Sequence, residues 1–197
     1  MFAEKFRFPP VLRGERVRLE QIEKKDAPCL LAILSDPLVM KYVTQGSFFS
    51  FTKSRRVAAE LLNTRRPDSM HYGIWLPEVE GPVGVVSLQN WRQERRDAMI
   101  GYMLDRRFWH RGLATEALGI LLRYAFNELH LQRVEGRCHA VNEASERVMQ
   151  KNGMELERTL NQKRMFFAAP LEMKIYSLTD QQFQARNTAG SEHVGKD

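Results

Sequence analysis

The sequence predicts one α/β (α+β) domain: a central mixed, mostly antiparallel sheet of about seven strands with helices on both faces, in the order β-α-α-β-β-β-α-β-α-β-β. Three observations predict it. Runs of strand length recur at 16–22, 71–76, 83–88, 98–104 and Arg133–His139, either alternating or continuously apolar. The stretch 115–129 carries Leu118, Leu121, Leu122, Ala125, Phe126 and Leu129 at helical spacing. And 197 residues with 43% hydrophobic content suit one domain with a sizeable core.

In chain order, residues 1–10 are a lead-in ending in Pro9-Pro10, which blocks helix. Residues 16–22 alternate at period two and read as a strand. Asp26 is expected to cap a helix with Pro28 in its first turn and Leu30, Ile33 and Leu34 buried; Asp36-Pro37 ends it. Residues 38–42 read as a further helical turn. Residues 44–53 are loop-like, yet hold Phe48, Phe49 and Phe51, which suit either packing under the loop or an apolar wall of a substrate cleft. A helix over 54–63 buries Val57, Ala58, Leu61 and Leu62, and Arg65-Arg66-Pro67-Asp68 forms a turn. Three strands follow as a meander, 71–76, 83–88 and 98–104, with turns at 77–81 and 89–97. The helix over 115–129 is then a crossover, placing 98–104 and Arg133–His139 in parallel with a right-handed connection. Asn142 caps a shorter helix bearing Ala144, Val148 and Met149, and Gly153 stops it. Residues 164–168 and 173–178 read as the last strands. Residues 187–197 show no pattern and read as a mobile tail.

The formal charge of +6 and a pI near 9.5 suit acidic partners such as nucleotide phosphates, nucleic acid or a ribosomal surface. The basic residues are spread along the chain, so no nucleic-acid motif emerges. Cys29 and Cys138 lie far apart without metal or disulfide spacing, so no metal is expected and a reducing, cytoplasmic setting fits. No signal peptide and no membrane span are read.

One stretch carries chemistry: Phe108-Trp109-His110-Arg111-Gly112-Leu113-Ala114-Thr115-Glu116-Ala117. A strand end, a basic glycine turn and a helix start make a phosphate cradle, because helix-start amides point outward and a glycine lets a ligand approach the backbone. No Gly-Lys-Ser/Thr follows, which argues against a nucleoside-triphosphate loop.

Taken with Ile100-Gly101-Tyr102 before it, and Asn142-Glu143-Ala144-Ser145 and Lys151-Asn152-Gly153-Met154 after it, this stretch resembles the GNAT superfamily of acyl-CoA N-acyltransferases. The resemblance is strongest to the RimJ/RimL group of ribosomal-protein N-terminal acetyltransferases and covers about 11–180, the expected GNAT domain. The superfamily pattern is Gln/Arg-x-x-Gly-x-Gly/Ala. Gly112 and Ala114 match it, and Trp109 stands at its first position, where the related group often has tryptophan. The resemblance implies acetyl-CoA as co-substrate. Its pyrophosphate would lie on the amides of Arg111 through Thr115, within a cradle spanning Trp109, His110, Arg111, Gly112, Leu113, Ala114 and Thr115, with Arg106 or Arg107 as added charge. Its pantetheine would pair with Tyr102, Met103 and Leu104, where the strands splay, and contact Asn142. Ser145 would protonate the leaving thiolate, so Ser145 and Asn142 are the implied catalytic pair.

Relatives often read Ala-Glu-Ile-Gly-Tyr where this chain has Ala98-Met99-Ile100-Gly101-Tyr102, leaving the general base open among Glu135, His139, Glu116 and water. An α-amine, with a pKa near 7.7–8.0, is roughly a tenth neutral at pH 7, against ~0.04% for a lysine, so it demands less of a base. The expected reaction is direct transfer from acetyl-CoA to a primary amine, a protein N-terminal α-amine by group resemblance. A small amine (polyamine, amino acid or antibiotic) is the alternative and would call for an acidic, closed pocket. A non-catalytic acyl-CoA-binding or ribosome-associated module is a further one, kept open by Met99. The ribosome or a ribosomal protein is a partner the resemblance allows, and the chain is expected as monomer or homodimer.

Overall fold

A computed structural model of the chain describes residues 9–43, 51–63, 66–162 and 171–191. Among these residues eight strands form one sheet: β1 (Leu12–Arg13), β2 (Arg18–Gln21), β3 (Met70–Trp75), β4 (Gly84–Arg92), β5 (Asp97–Leu104), β6 (Arg133–His139), β7 (Glu155–Gln162) and β8 (Leu171–Thr179). Their spatial order is β1-β2-β3-β4-β5-β6-β8-β7. Every neighbouring pair is antiparallel except β5 and β6.

Among the described residues six α-helices cover the sheet: α1 (Ala27–Leu34), α2 (Pro37–Val43), α3 (Phe51–Leu61), α4 (Leu113–Arg123), α5 (Glu143–Lys151) and α6 (Asp180–Ser191). Against one face, α4, α5 and α6 bury Leu118, Leu121, Met149 and Phe183 with Tyr72, Leu88, Val134 and Tyr176. On the other, α1, α2 and α3 bury Leu30, Leu34, Val39 and Ala58 with Val85 and Met103. Each fully buried leucine contributes about 1.5–3 kcal/mol relative to exposure. The stripe read in the sequence from Leu118 to Leu129 is buried throughout. Past Arg123 that helix widens into a π turn, Tyr124–Glu128, which packs Tyr124 inward. No helix among the described residues is long and apolar enough to cross a membrane.

Three sequence expectations change, and one lies outside the described residues. Asp26 does not cap α1 by its side chain; its carboxylate accepts from the Glu23 N–H at 2.8 Å. Pro28 has no N–H to offer such a cap. The sheet has eight strands, because β1 is only two residues long and β7 reads Glu-Leu-Glu-Arg-Thr-Leu-Asn-Gln, without alternation. As an edge strand exposed from Glu155 to Asn161, β7 needs no buried face. The strand expected at 164–168 lies outside the described residues, as do Phe48, Phe49 and Arg65. Residues 187–191 belong to α6 rather than to a tail, and 192–197 lie outside the described residues. Phe183 anchors that helix by stacking on Phe126 at 4.8 Å. Its start is a capping box: the Gln182 N–H donates to Thr179 Oγ1 at 3.3 Å, and the Thr179 N–H to Gln182 Oε1 at 2.9 Å.

Candidate active site

The parallel strand pair decides where the cleft opens. Pairing of β5 with β6 runs from Asp97↔Arg133 to Ile100↔Gly136 and stops, although the strands continue to Leu104 and His139. Past that point β5 stays with β4 to Leu104↔Gly84, and β6 stays with β8 to His139↔Met173. The sheet therefore divides, and residues 101–104 present a strand edge to the gap. A cleft of ≈ 680 Å³ lies along it.

Of the residues singled out in the sequence, Tyr102, Met103, Leu104, Trp109, His110, Gly112, Leu113, Ala114, Thr115, Asn142 and Ser145 all line this cleft. Arg111 does not; its guanidinium sits 5.4 Å from the Phe108 ring centroid. Arg106 and Arg107 are held by Asp36 and Asp105, at 2.8 and 2.7 Å.

The cradle loop is fixed from below by residues the sequence did not connect to it. Trp109 Nε1 donates to the Leu104 carbonyl at 2.8 Å. Arg16 donates through Nη1 to the Arg111 carbonyl and through Nε to Glu116 Oε2, each at 2.8 Å. The Arg16 and Val17 amides both donate to Glu116 Oε1. Burial works against the charge on Glu116, but these bonds outweigh it and hold its carboxyl below its usual range. Gly112 stands at the N-cap of α4 with φ +75° and brings no side chain to cap it. The first-turn amides and the positive end of the helix dipole therefore carry no side-chain cap. Asn152 donates to the Thr115 and Val148 carbonyls, tying the end of α5 to the start of α4.

On α5, Asn142 Oδ1 accepts from the Ser145 N–H at 3.2 Å, so it caps the helix while lining the cleft. The Tyr102 hydroxyl donates to the Ser145 carbonyl at 2.8 Å and lies 2.8 Å from Ser145 Oγ. Burial pushes the Tyr102 phenol above its usual range, against the lowering effect of Ser145, so it remains a proton carrier at neutral pH. Glu146 binds Lys174 Nζ and the Tyr176 hydroxyl, fastening α5 to β8. Cys138 lines the same gap as a free, buried thiol, raised to about 11 chiefly by burial.

Two of the base candidates do not reach the cleft. Glu116 is held by Arg16, and Glu135 is paired with Arg133, Arg137 and Arg158. His139 does line the cleft, edge-on to Tyr42 with centroids 5.9 Å apart. Met99 does not line it; its sulfur accepts from Asn90 Nδ2 at 3.5 Å.

The sequence reading missed His71, Ser87 and Gln89, which line the half of the cleft nearest α2 and α3. His71 Nδ1 and Ser87 Oγ are 2.8 Å apart. Burial first, then Arg66, lowers the His71 pKa from 6.5 to about 4, with Asp68 opposing. A neutral form favoured by folding stabilises above pH 6.5, and that contribution fades as the pH falls toward 4. The loss amounts to about 3 kcal/mol. His71→Gln is therefore expected to flatten the fall of Tm with pH between 6.5 and 4; an unchanged slope would contradict the assignment.

Comparison with known proteins shows the family. The family model described as "Acetyltransferase (GNAT) domain" matches residues 16–155. The N-acetyltransferase YoaA of Bacillus subtilis (strain 168) is 27% identical over 172 residues, 86% of this chain and 96% of YoaA. Two solved structures share the fold at low identity. RimL, the ribosomal L7/L12 α-N-protein acetyltransferase in complex with coenzyme A, is 20% identical with a TM-score of 0.72, covering 86% of this chain and 98% of its own. Spermidine N-acetyltransferase from Vibrio cholerae, in complex with CoA and spermine, is 14% identical, also with a TM-score of 0.72, covering 87% and 99%. A family match over most of the chain, on the elements that build the cleft, places this protein in the GNAT family of N-acetyltransferases.

Proposed function

We propose that the cleft binds acetyl-CoA along the β5 edge and the α4 N-terminus, and that the acceptor is a protein N-terminal α-amine of the ribosomal-protein type. Acetyl-CoA supplies an activated thioester. The first-turn amides of α4 suit its pyrophosphate, and the strand edge at 101–104 suits its pantetheine amides. Asn142 commits Oδ1 to its helix and keeps its amide N–H groups for the ligand. Ser145, whose hydroxyl lies 2.8 Å from that of Tyr102, gives a proton to the departing sulfur. The acceptor nitrogen bonds to the acetyl carbon as the C–S bond breaks. The amine loses one proton and the thiol gains one.

One observation carries the choice of acceptor: the described lining of the cleft is poor in the carboxylates a polyamine needs. Among its described lining residues Glu60 is the one carboxylate, and Arg66 pairs with it at 3.2 Å. Arg66, Arg137, Arg147 and Lys151 make the lining basic instead. A polycation would lose water there without gaining partners. Thiol release from acetyl-CoA, followed with free-N-terminus peptides, the same peptides blocked, and spermidine, tests this. Free peptides are expected to exceed spermidine in kcat/KM by at least about tenfold, as one uncompensated charge contact of ~1.4 kcal/mol implies. Spermidine as the better acceptor would reverse the reading.

A further inference from the structure

The geometry points to the Ser87 hydroxyl, held by His71, as the group that receives the N–H of the acceptor nitrogen during transfer. This rests on reading the cleft as the acetyl-CoA and acceptor site. It does not depend on which amine is acetylated.

The sheet register places the pair. His71 of β3 stands opposite Ser87 of β4, and Ser87 opposite Gly101 of β5. One row across the sheet therefore runs His71, Ser87, Gly101, and all three line the cleft. Gly101 is the first residue of β5 beyond the last parallel pair, Ile100↔Gly136, so the row ends where the gap begins. Having no side chain, Gly101 leaves this end of the row low. The Gln89 amide lies above it, 3.0 Å from where a Cβ would stand, and is the second polar group at this spot.

The pair is also built in a way that packing does not explain. His71 is 9% exposed and Ser87 2%. His71 Nδ1 is engaged with Ser87 Oγ at 2.8 Å. His71 Nε2 is buried without a hydrogen-bond partner among the described residues. A leucine would fill the same space without stranding a polar atom, so a buried imidazole with one orphaned nitrogen calls for a role. When the Ser87 O–H donates its hydrogen bond to Nδ1, the lone pairs of the Ser87 oxygen are left to act as acceptors.

Magnitudes limit what the pair does. An imidazole titrating at about 4 cannot strip an ammonium of pKa 7.7–8.0, since that transfer is uphill by roughly 10⁴-fold. The nearby carboxylates among the described residues, Asp68 and Glu60, are both paired with Arg66, at 3.0 and 3.2 Å. The pair therefore orients an amine that arrives neutral, aiming its lone pair at the thioester. Ser87 is the contact and His71 the positioning residue.

The test uses CoA and a conjugate bearing –CH₂–CO–NH–CH₂–CO–NH₂ on its sulfur, so that an N–H occupies the acceptor position. Calorimetry compares both probes with the wild type, Ser87→Ala, His71→Leu and His71→Asn. The conjugate is expected to bind the wild type at least tenfold more tightly than CoA. Ser87→Ala should weaken the conjugate about tenfold and leave CoA within twofold. His71→Leu should behave alike, and His71→Asn, whose amide falls near the Nδ1 position, should restore most of the affinity. Ser87→Ala removes one oxygen and decides the matter even where His71→Leu fails to fold. Equal binding of the conjugate by Ser87→Ala and wild type, or equal weakening of both probes, would overturn the assignment. CoA failing to bind the wild type would remove the reading of the cleft itself, and the assignment with it. Acceptor preference for spermidine would leave the assignment standing and change only the acceptor.

Discussion

Gly112→Val is expected to reduce CoA affinity by at least about 100-fold while the chain remains folded. Gly112 sits at φ +75°, a conformation that costs an L-residue about 1–2 kcal/mol and a β-branched one more. A Cβ built there meets only Arg16 Nη2, at 3.4 Å. Protein atoms therefore do not keep this position small; the open space lies in front of the α4 amides. Valine would place two methyl groups where the pyrophosphate must approach, and would pull the loop away from the bonds that Arg16 makes to Arg111 and Glu116. Losing the close anion contact and straining the turn each account for roughly tenfold. Calorimetric titration with CoA, beside a circular-dichroism melt, measures the effect. Affinity within threefold of the wild type would remove the cradle from the site.

The second large effect is expected at Ser145. Ser145→Ala should lower kcat roughly 10²-fold with little change in the KM for acetyl-CoA, because a general acid acts on the departing thiolate and not on the bound ground state. Tyr102→Phe should reproduce part of this loss, since the Tyr102 hydroxyl reaches both the Ser145 carbonyl and Oγ. The double variant should be little worse than Ser145→Ala alone, as befits two groups acting as one unit. Steady-state kinetics with the best peptide acceptor decides this. An unchanged kcat in Ser145→Ala would leave proton delivery to water, and Ser145 with only its place in the first turn of α5.

Much of this architecture is written in short-range pattern. The alternation before Ile22, the apolar run after Pro82 and the stripe from Leu118 to Leu129 identify β2, β4 and α4, because burial imposes the period of each element. The cradle is equally local: Gly112, Ala114 and Thr115 are close neighbours in the chain, and their chemistry depends on one turn entering one helix. Asn142 belongs with these, as its cap reaches only to Ser145.

What the pattern does not carry is partnership at a distance. β7 escaped notice because an edge strand exposed on both faces has no burial to record. The start of α6 was legible in Thr179-Asp180-Gln181-Gln182, a capping box that the sequence reading left unassigned. Arg16 meets Glu116 across 100 residues, Tyr102 meets Ser145 across 43, and His71 meets Ser87 across 16. Periodicity tells which face of the sheet a side chain occupies, not which side chain from another strand or helix stands beside it. By itself, then, the sequence determined most of the elements and the glycine turn that enters α4. The register of β3, β4 and β5, the point at which β5 and β6 part, and the docking of α5 decided the rest. Those depend on how whole elements pack, and packing is a property of surfaces that only the folded chain brings together.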